Sequence, residues 1–356
     1  MSKPTSIEEI VAGIKPLDHE WFEKARERTE RLVMPTRALG RLHDIAERFC
    51  AIQQTIKPSI EGKGVLVMAG DHGIAGERVS AYPQEVTGAM VQTFLAGGAG
   101  INAISRTVNA RVWVVDMGII PDIPVNAFGG QYKVSKIGSG TANFVKGPAM
   151  TREQAEKAVL TGFGHASDCF AEGINLLGTG DMGIGNTTPS AAIGAVVTGA
   201  SLKDMVGRGT GMDDAGLAHK REAIARGLTL NAPNPGDGLD VLAKVGGFEI
   251  GGIAGIILAG AYHQKAVVID GFISTAGALI AQLICHDAME YAFAGHQSEE
   301  PGHQLMLRHL GRSPLLNLGL RLGEGTGGAM AMAIIEGALR VFNDVMTFEE
   351  AGVPEE

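Results

Sequence analysis

An α/β fold, doubly wound around a mainly parallel sheet with helices on both faces, is predicted by three features of this sequence. Short β-branched runs alternate with longer Ala- and Gly-rich stretches. Each run is almost wholly apolar, as strands buried on both faces of a parallel sheet must be. Each run also leads into Gly, Asp or both, the punctuation of a strand-to-helix turn. The runs are Val65-Leu66-Val67-Met68, Arg111-Val112-Trp113-Val114-Val115-Asp116, Ile174-Asn175-Leu176-Leu177 and Ala266-Val267-Val268-Ile269-Asp270. They lead into Ala69-Gly70-Asp71-His72-Gly73, Asp116-Met117-Gly118, Gly178-Thr179-Gly180-Asp181 and Asp270-Gly271. In such sheets ligands bind in the crevice at the carboxyl ends of the strands.

The elements before and after the sheet differ in texture. Residues 1–60 are the most charged part and carry amphipathic helical patterns over 18–32 and 40–56. Helical patterns return over 304–310 and 329–346. Three segments are therefore expected: residues 1–60 as N-terminal helices of a small domain, 61–300 as a Rossmann-like catalytic domain, and 301–356 as C-terminal helices that complete the small domain and carry the loop around Glu324.

Composition narrows the function. With 356 residues, 45% hydrophobic and 19% charged, the chain can bury a large core. The 51 glycines follow no collagen period and lie among Ala, Val and Ile, so they mark tight turns and close backbone approach rather than disorder. A net charge of −9 without a basic stripe argues against a nucleic-acid partner. Cys50, Cys169 and Cys285 are far apart and odd in number, which fits free thiols in a reducing cytoplasm better than disulfides or a zinc site. The first twenty residues hold Glu8, Glu9, Asp18 and Glu20, so no signal peptide is read there. The apolar stretch 251–261 gives way to His263, Gln264 and Lys265 and is too short to span a bilayer. A cytoplasmic protein without a membrane partner is expected.

Five stretches invite chemistry. Gly178-Thr179-Gly180-Asp181-Met182-Gly183-Ile184-Gly185-Asn186-Thr187-Thr188-Pro189 holds G-x-G-x-x-G, then a run of small residues with Pro189 near a helix start. It reads as a phosphate or sugar-phosphate site at a helix N-terminus, as a dinucleotide fingerprint, or as a structural turn. Gly207-Arg208-Gly209-Thr210-Gly211 precedes a helical stretch, 216–228, bearing Lys220. Oriented amides and a point charge suit a phosphate, and a surface loop with a solvated lysine is the plain alternative. Val267 to Gly277 superficially resembles a diphosphoribose loop, but it has one carboxylate, Asp270, where that loop has two; a strand end lining the site is the better reading. Asp71-His72 lacks metal-ligand spacing and reads as a turn-stabilising Asp beside a hydrogen-bonded His. Finally, Glu324 stands alone in Leu320-Arg321-Leu322-Gly323-Glu324-Gly325-Thr326-Gly327-Gly328. Poor local solvation raises a carboxyl's proton affinity and suits a general base. A helix-end carboxylate favoured by the dipole of the helix that follows is an equal alternative.

Taken together, these segments resemble the nicotinate-nucleotide–dimethylbenzimidazole phosphoribosyltransferases of cobamide lower-ligand assembly. The resemblance runs over roughly residues 36–343. It rests on Met68-Ala69-Gly70-Asp71-His72-Gly73, Tyr82-Pro83-Gln84-Glu85-Val86-Thr87, Gly183-Ile184-Gly185-Asn186-Thr187-Thr188-Pro189, Asn231-Ala232-Pro233-Asn234-Pro235, the stretch from Val241 to Ile250, and Arg321-Leu322-Gly323-Glu324-Gly325. It implies transfer of ribose 5-phosphate from nicotinate mononucleotide to an aromatic acceptor, with Glu324 as general base and no metal or cofactor. It further implies that Gly183, Gly209 and Lys220, with Asp181, Gly185, Asn186, Thr187 and Gly323, hold phosphate and ribose. Tyr82, Met90, Met182 and Leu322 would line a flat acceptor slot, with Ser298 near the base. Asp181 departs from the Glu of many relatives and reaches one methylene less far. A homodimer is implied as well. The alternatives are a phenol- or p-cresol-activating relative, a non-catalytic subunit of a heterodimer and, more distantly, an NAD-dependent dehydrogenase.

Overall fold

A computed structural model of the chain describes residues 4–124, 131–209 and 211–354; Thr210 of the second glycine loop lies outside the described residues. Three helices come first: α1 (Ile7–Gly13), α2 (His19–Glu30), whose N-cap is Asp18, and α3 (Arg41–Gln53). The α/β part follows with β1 (Lys63–Gly70), α4 (Val86–Leu95), α5 (Gly100–Thr107), β2 (Ala110–Gly118), β3 (Tyr132–Val134), α6 (Arg152–Ala171) and β4 (Leu176–Met182). It continues through α7 (Thr187–Thr198), α8 (Leu202–Met205), α9 (Asp214–Asn231), α10 (Gly238–Val245), α11 (Phe248–Tyr262), β5 (Ala266–Ile269) and α12 (Phe272–Ile284). The chain closes with β6 (Ala292–Ala294), β7 (His296–Ser298), α13 (Pro301–His309), β8 (Leu316–Leu320), α14 (Thr326–Asp344) and α15 (Phe348–Ala351).

The sheet has the order β3-β2-β1-β4-β5-β6, and every pairing in it is parallel. Strand order reverses between β1 and β4, which puts a topological switch point at their carboxyl ends. Side chains along β1 alternate between two helical layers. Val65 meets the Gly325 turn that leads into α14, while Met68 meets Gly252 of α11. Glycine lets α11 lie very close to α6: a Cβ on Gly162 would fall 1.9 Å from the Gly252 carbonyl oxygen, and one on Gly255 would fall 2.0 Å from that of Val159. One apolar core runs through both layers and on to Ile10, Phe49 and Phe342 at the chain ends.

The terminal helices are joined by backbone as well as side chains. Phe348 N donates to Arg31 O at 2.9 Å, Val33 N to Met346 O at 2.9 Å, and Arg28 Nε to Phe342 O at 3.1 Å. Among the described residues, no helix is long and apolar enough to cross a membrane.

The strands extend further than their apolar runs. The expected strand 174–177 is in fact Leu176–Met182, so Gly178, Thr179, Gly180 and Asp181 belong to β4 and not to a turn. The reason is close packing: a Cβ on Gly178 would fall 2.9 Å from Met332 Cε of α14, and one on Gly180 would fall 2.5 Å from the Glu324 carbonyl oxygen. These two glycines let an overlying turn and helix press onto the strand, so the fingerprint does not form the turn that a dinucleotide needs. Likewise Asp116 and Gly70 end β2 and β1 from within, with Asp116 buried and accepting from Tyr132 Oη at 3.0 Å.

Candidate active site

A cavity of about 490 Å³ opens at the carboxyl ends of β4 and β5, roofed by the residues around β7 and by the turn before α14. Its lining brings together Tyr82, Met90, Asp181, Met182, Gly183, Asn186, Thr187, Gly209, Ser298, Leu322, Gly323 and Glu324, all residues singled out from sequence. Gly185 and Lys220 are not on the lining. Gly185 makes the turn into α7 with φ +88°, and its carbonyl accepts from Thr188 N at 2.9 Å. Lys220 stands just behind Thr187 and Gly209.

One end of the cavity is built for an anion. The N-terminus of α7, at Thr187, opens on it, and a helix N-terminus favours negative charge. Lys220 Nζ donates to Thr187 Oγ1 at 2.6 Å, and the side chain is only 1% exposed. It is therefore not the solvated surface lysine of the plain reading. Burial draws its proton affinity down to about 8, against the pull of nearby Glu300. Gly209 holds φ +53° and brings backbone so near that a Cβ would sit 3.0 Å from Thr187 Oγ1 and 3.3 Å from Lys220 Nζ. Gly183 has no room for a side chain either, since its Cβ would fall 2.3 Å from Gly70 O. Beneath it, His72 Nε2 and Glu249 Oε1 form a buried pair at 2.8 Å. Asp71 Oδ2 accepts from Ile120 N at 2.7 Å, the turn-holding part expected of it.

The other end gathers carboxyl groups. Glu324 occupies the left-handed region at φ +64°, a conformation that non-glycine residues hold only when their surroundings enforce it. Gly323 and Gly325 flank it at φ +82° and +92°, which is why the turn is Gly-Glu-Gly. Its carboxylate is 5% exposed and accepts from Ile101 N at 3.0 Å. That helix N-terminus belongs to α5 and not to α14, the helix that follows Glu324 in sequence. Burial raises the Glu324 carboxyl above the ordinary glutamate value; the Ile101 amide opposes the rise, the charge of Asp270 adds to it, and the Gly100 amide opposes it. Asp181 accepts from Asn186 Nδ2 at 2.9 Å. Burial first, then the charge of Asp270, pushes it up to about 8. A side chain on Gly323 would come within 3.3 Å of Asp181 Oδ2.

Between the two ends the walls are apolar or sulfur-bearing, suited to a planar ring. Met90 and Met182 are half-buried, whereas Tyr82 is 54% and Leu322 61% exposed. Ser298 is buried near the turn, its amide donating to His303 Nδ1 at 2.8 Å.

Several lining residues were not read from sequence as site residues: Val86, Ile184, Phe272, His296, Glu300 and Arg321. His296 and Glu300 flank Ser298 in the chain, and Arg321 belongs to the Glu324 motif, so proximity to those residues was the available signal. Asp270, expected as a strand end lining the site, accepts from Gly325 N at 3.2 Å and Gly328 N at 2.8 Å. Among the described residues, no group of three His, Cys, Asp or Glu side chains is arranged to hold a metal ion.

A cavity at the switch point of a parallel sheet, cationic at one end and lined with buried carboxyls of raised proton affinity at the other, defines an α/β enzyme for a small anionic substrate. Comparison with known proteins narrows that class. A family model described as phosphoribosyltransferase matches residues 14–353. The nicotinate-nucleotide–dimethylbenzimidazole phosphoribosyltransferase of Geotalea uraniireducens is 49% identical over 349 residues, 98% of each chain. That of Geobacter sulfurreducens is 50% identical over 353 residues, 99% of each. The crystal structure of the enzyme of that name from Thermus thermophilus superimposes with a TM-score of 0.90 at 44% identity, covering 96% of this chain and all of that one. The chain belongs to the nicotinate-nucleotide–dimethylbenzimidazole phosphoribosyltransferase family.

Proposed function

We propose that this enzyme transfers ribose 5-phosphate from nicotinate mononucleotide to 5,6-dimethylbenzimidazole or a related lower-ligand base. The products are nicotinate and an α-linked riboside 5'-phosphate, α-ribazole 5'-phosphate when the base is dimethylbenzimidazole. One observation carries the reading: a buried ammonium and a buried carboxyl with raised proton affinity, Lys220 and Glu324, flank a slot with apolar walls.

The chemistry divides along that slot. Thr187, Gly209 and the α7 N-terminus grip the 5'-phosphate with Lys220 behind them, as amides, a hydroxyl and a desolvated charge do well together. The bond between C1' and the pyridinium nitrogen breaks, its electron pair neutralising the ring as nicotinate leaves. A ring nitrogen of the acceptor, lying between Met90, Met182 and Leu322, forms the new bond from the opposite face of the ribose. The proton on the other ring nitrogen passes to Glu324, whose proton affinity burial raises. Asp181, pushed up to about 8 by burial and the charge of Asp270, lies where a cation developing on the ribose favours its charged form. Fixing both partners in one cavity supplies much of the rate.

The same reading makes the protein a cytoplasmic homodimer, with three free thiols suited to a reducing compartment. It also treats residues 1–60 and 301–356 as one small domain beside a catalytic domain of residues 61–300, consistent with the hydrogen bonds joining the chain ends.

Incubation with nicotinate mononucleotide and each of dimethylbenzimidazole, adenine, phenol and p-cresol tests the reaction. Riboside phosphate is expected, with the benzimidazole preferred; no product with any acceptor sinks the proposal. Glu324→Gln should abolish turnover and leave nucleotide binding intact, and an active variant would remove Glu324 from the mechanism.

A further inference from the structure

Asp270 closes β5 at 1% exposure, and the transfer described above gives it no substrate to touch. Its two oxygens are nonetheless fully engaged. Oδ2 accepts from Gly325 N at 3.2 Å and Oδ1 from Gly328 N at 2.8 Å, and the Gly327 amide also reaches the carboxylate. These amides lie directly after Glu324, so the carboxylate clasps the turn that keeps Glu324 at φ +64°.

His296, on the cavity wall, faces the same carboxylate, with Nε2 3.5 Å from Asp270 Oδ1. Neither ring nitrogen makes a hydrogen bond, although both are buried. Two glycines make the space for the ring: a Cβ on Gly327 would fall 2.0 Å from His296 Cδ2, and one on Gly271 would fall 3.1 Å from Nε2. The imidazole is thus admitted by the backbone on two sides, next to a carboxylate that has no other side chain cation beside it among the described residues.

We propose that Asp270 and His296 act as a positioning and charge-setting pair for Glu324, an inference that rests on the transferase reading above. Asp270 pins the turn through the amides after Glu324, and the balance of charge between Asp270 and His296 sets how tightly Glu324 holds its proton. The groups facing this pair are Asp181 from β4, Glu324 from the turn before α14, and His303 from α13, whose ring lies 6.2 Å from that of His296. Burial keeps His303 neutral by lowering it to about 3, so it supplies no charge of its own. Glu249 of α11 acts on Asp181 from the other side. The negative charge of Asp270 contributes to the raised values of both Asp181 and Glu324, and the His296 ring lies directly against that carboxylate.

The test is the pH profile of kcat/KM for wild type, Asp270→Asn and His296→Gln, with nicotinate mononucleotide and dimethylbenzimidazole. Calorimetric binding of the mononucleotide serves as the check on folding. Removing the negative charge of Asp270 should move the acid limb of the profile down by about one unit, and removing the imidazole that faces it should move the limb up by a similar amount. Opposite shifts are a signature that loss of packing does not produce. Limbs that coincide with wild type, or that move the same way, overturn the inference. If Asp270→Asn fails to fold, His296→Gln decides alone: an upward shift supports the pairing and an unmoved limb refutes it. A wild-type protein that forms no riboside phosphate refutes the transferase reading instead, and this inference falls with it.

Discussion

Replacing Gly180 with alanine tests whether the Glu324 turn must lie flat on β4. Gly180 does not hold a positive φ, so alanine meets no backbone strain and the perturbation is purely steric. The added methyl would fall 2.5 Å from the Glu324 carbonyl oxygen, 2.9 Å from its carbon and 3.1 Å from Gly325 N. Ordinary heavy-atom contact needs about 3.5 Å, so relief of the overlap moves the turn outward by about 1 Å. A displacement of that size between reacting groups costs about 100-fold in rate, or about 2.7 kcal/mol in the barrier. The overpacking itself should cost about 1–3 kcal/mol in stability. Steady-state kinetics with saturating nicotinate mononucleotide, beside a thermal melt, provide the assay. We expect kcat to fall about 100-fold while the KM for the mononucleotide stays within about threefold, because the phosphate grip stands on α7 and α9. Gly178→Ala is the control. Its methyl would meet the flexible end of Met332 at 2.9 Å and a Val65 methyl at 3.3 Å, side chains rather than the Glu324 turn, and should lower kcat by less than about tenfold. A folded Gly180→Ala enzyme with near wild-type kcat would refute the reasoning.

Two further outcomes follow from the same geometry. Lys220→Met should raise the KM for nicotinate mononucleotide about 100-fold, as expected for loss of a desolvated charge contact, without lowering the melting temperature at pH 7. The sign follows from linkage: the folded-state value near 8 lies below the unfolded one, so the penalty of burying the charge is fully present at pH 7 and fades as pH rises above 8. Gly162→Ala should act in the opposite sense, destabilising the fold by about 1–3 kcal/mol in denaturant melts, since its methyl has only the Gly252 backbone to displace. Activity per folded molecule should be unchanged, because α6 contributes nothing to the cavity lining.

The α/β class was legible because parallel strands buried on both faces must be apolar throughout, and four such runs stand out between Val65 and Asp270. Their ends were not legible. Asp116, Asp181 and the glycines Gly70, Gly118, Gly178 and Gly180 behave as breakers in a local reading, yet tertiary contacts hold them within strands. The edge strands β3 and β6, three residues each, are too short for any periodicity to show. At the site, Glu324 drew notice as a lone charge among glycines, and Lys220 as a lysine on the helix that follows a glycine loop. Asp270 drew notice only as a strand end lining the site, and His296 only as a neighbour of Ser298. Their significance lies in one another and in Gly271 and Gly327, and nothing local distinguishes a glycine that admits an imidazole from one that merely turns the chain.

The uneven exposure of the cavity walls bears on how such an enzyme changes over generations. Tyr82 and Leu322 stand more than half in solvent, whereas Asp181, Asn186, Lys220 and Glu324, proposed above to handle the nucleotide, are buried. Surface replacements away from buried networks usually alter stability by no more than about 0.5 kcal/mol, so these two positions are nearly free to drift. A lineage can therefore trade one aromatic nucleophile for another by single steps at the rim, and never pass through an unfolded or donor-blind ancestor.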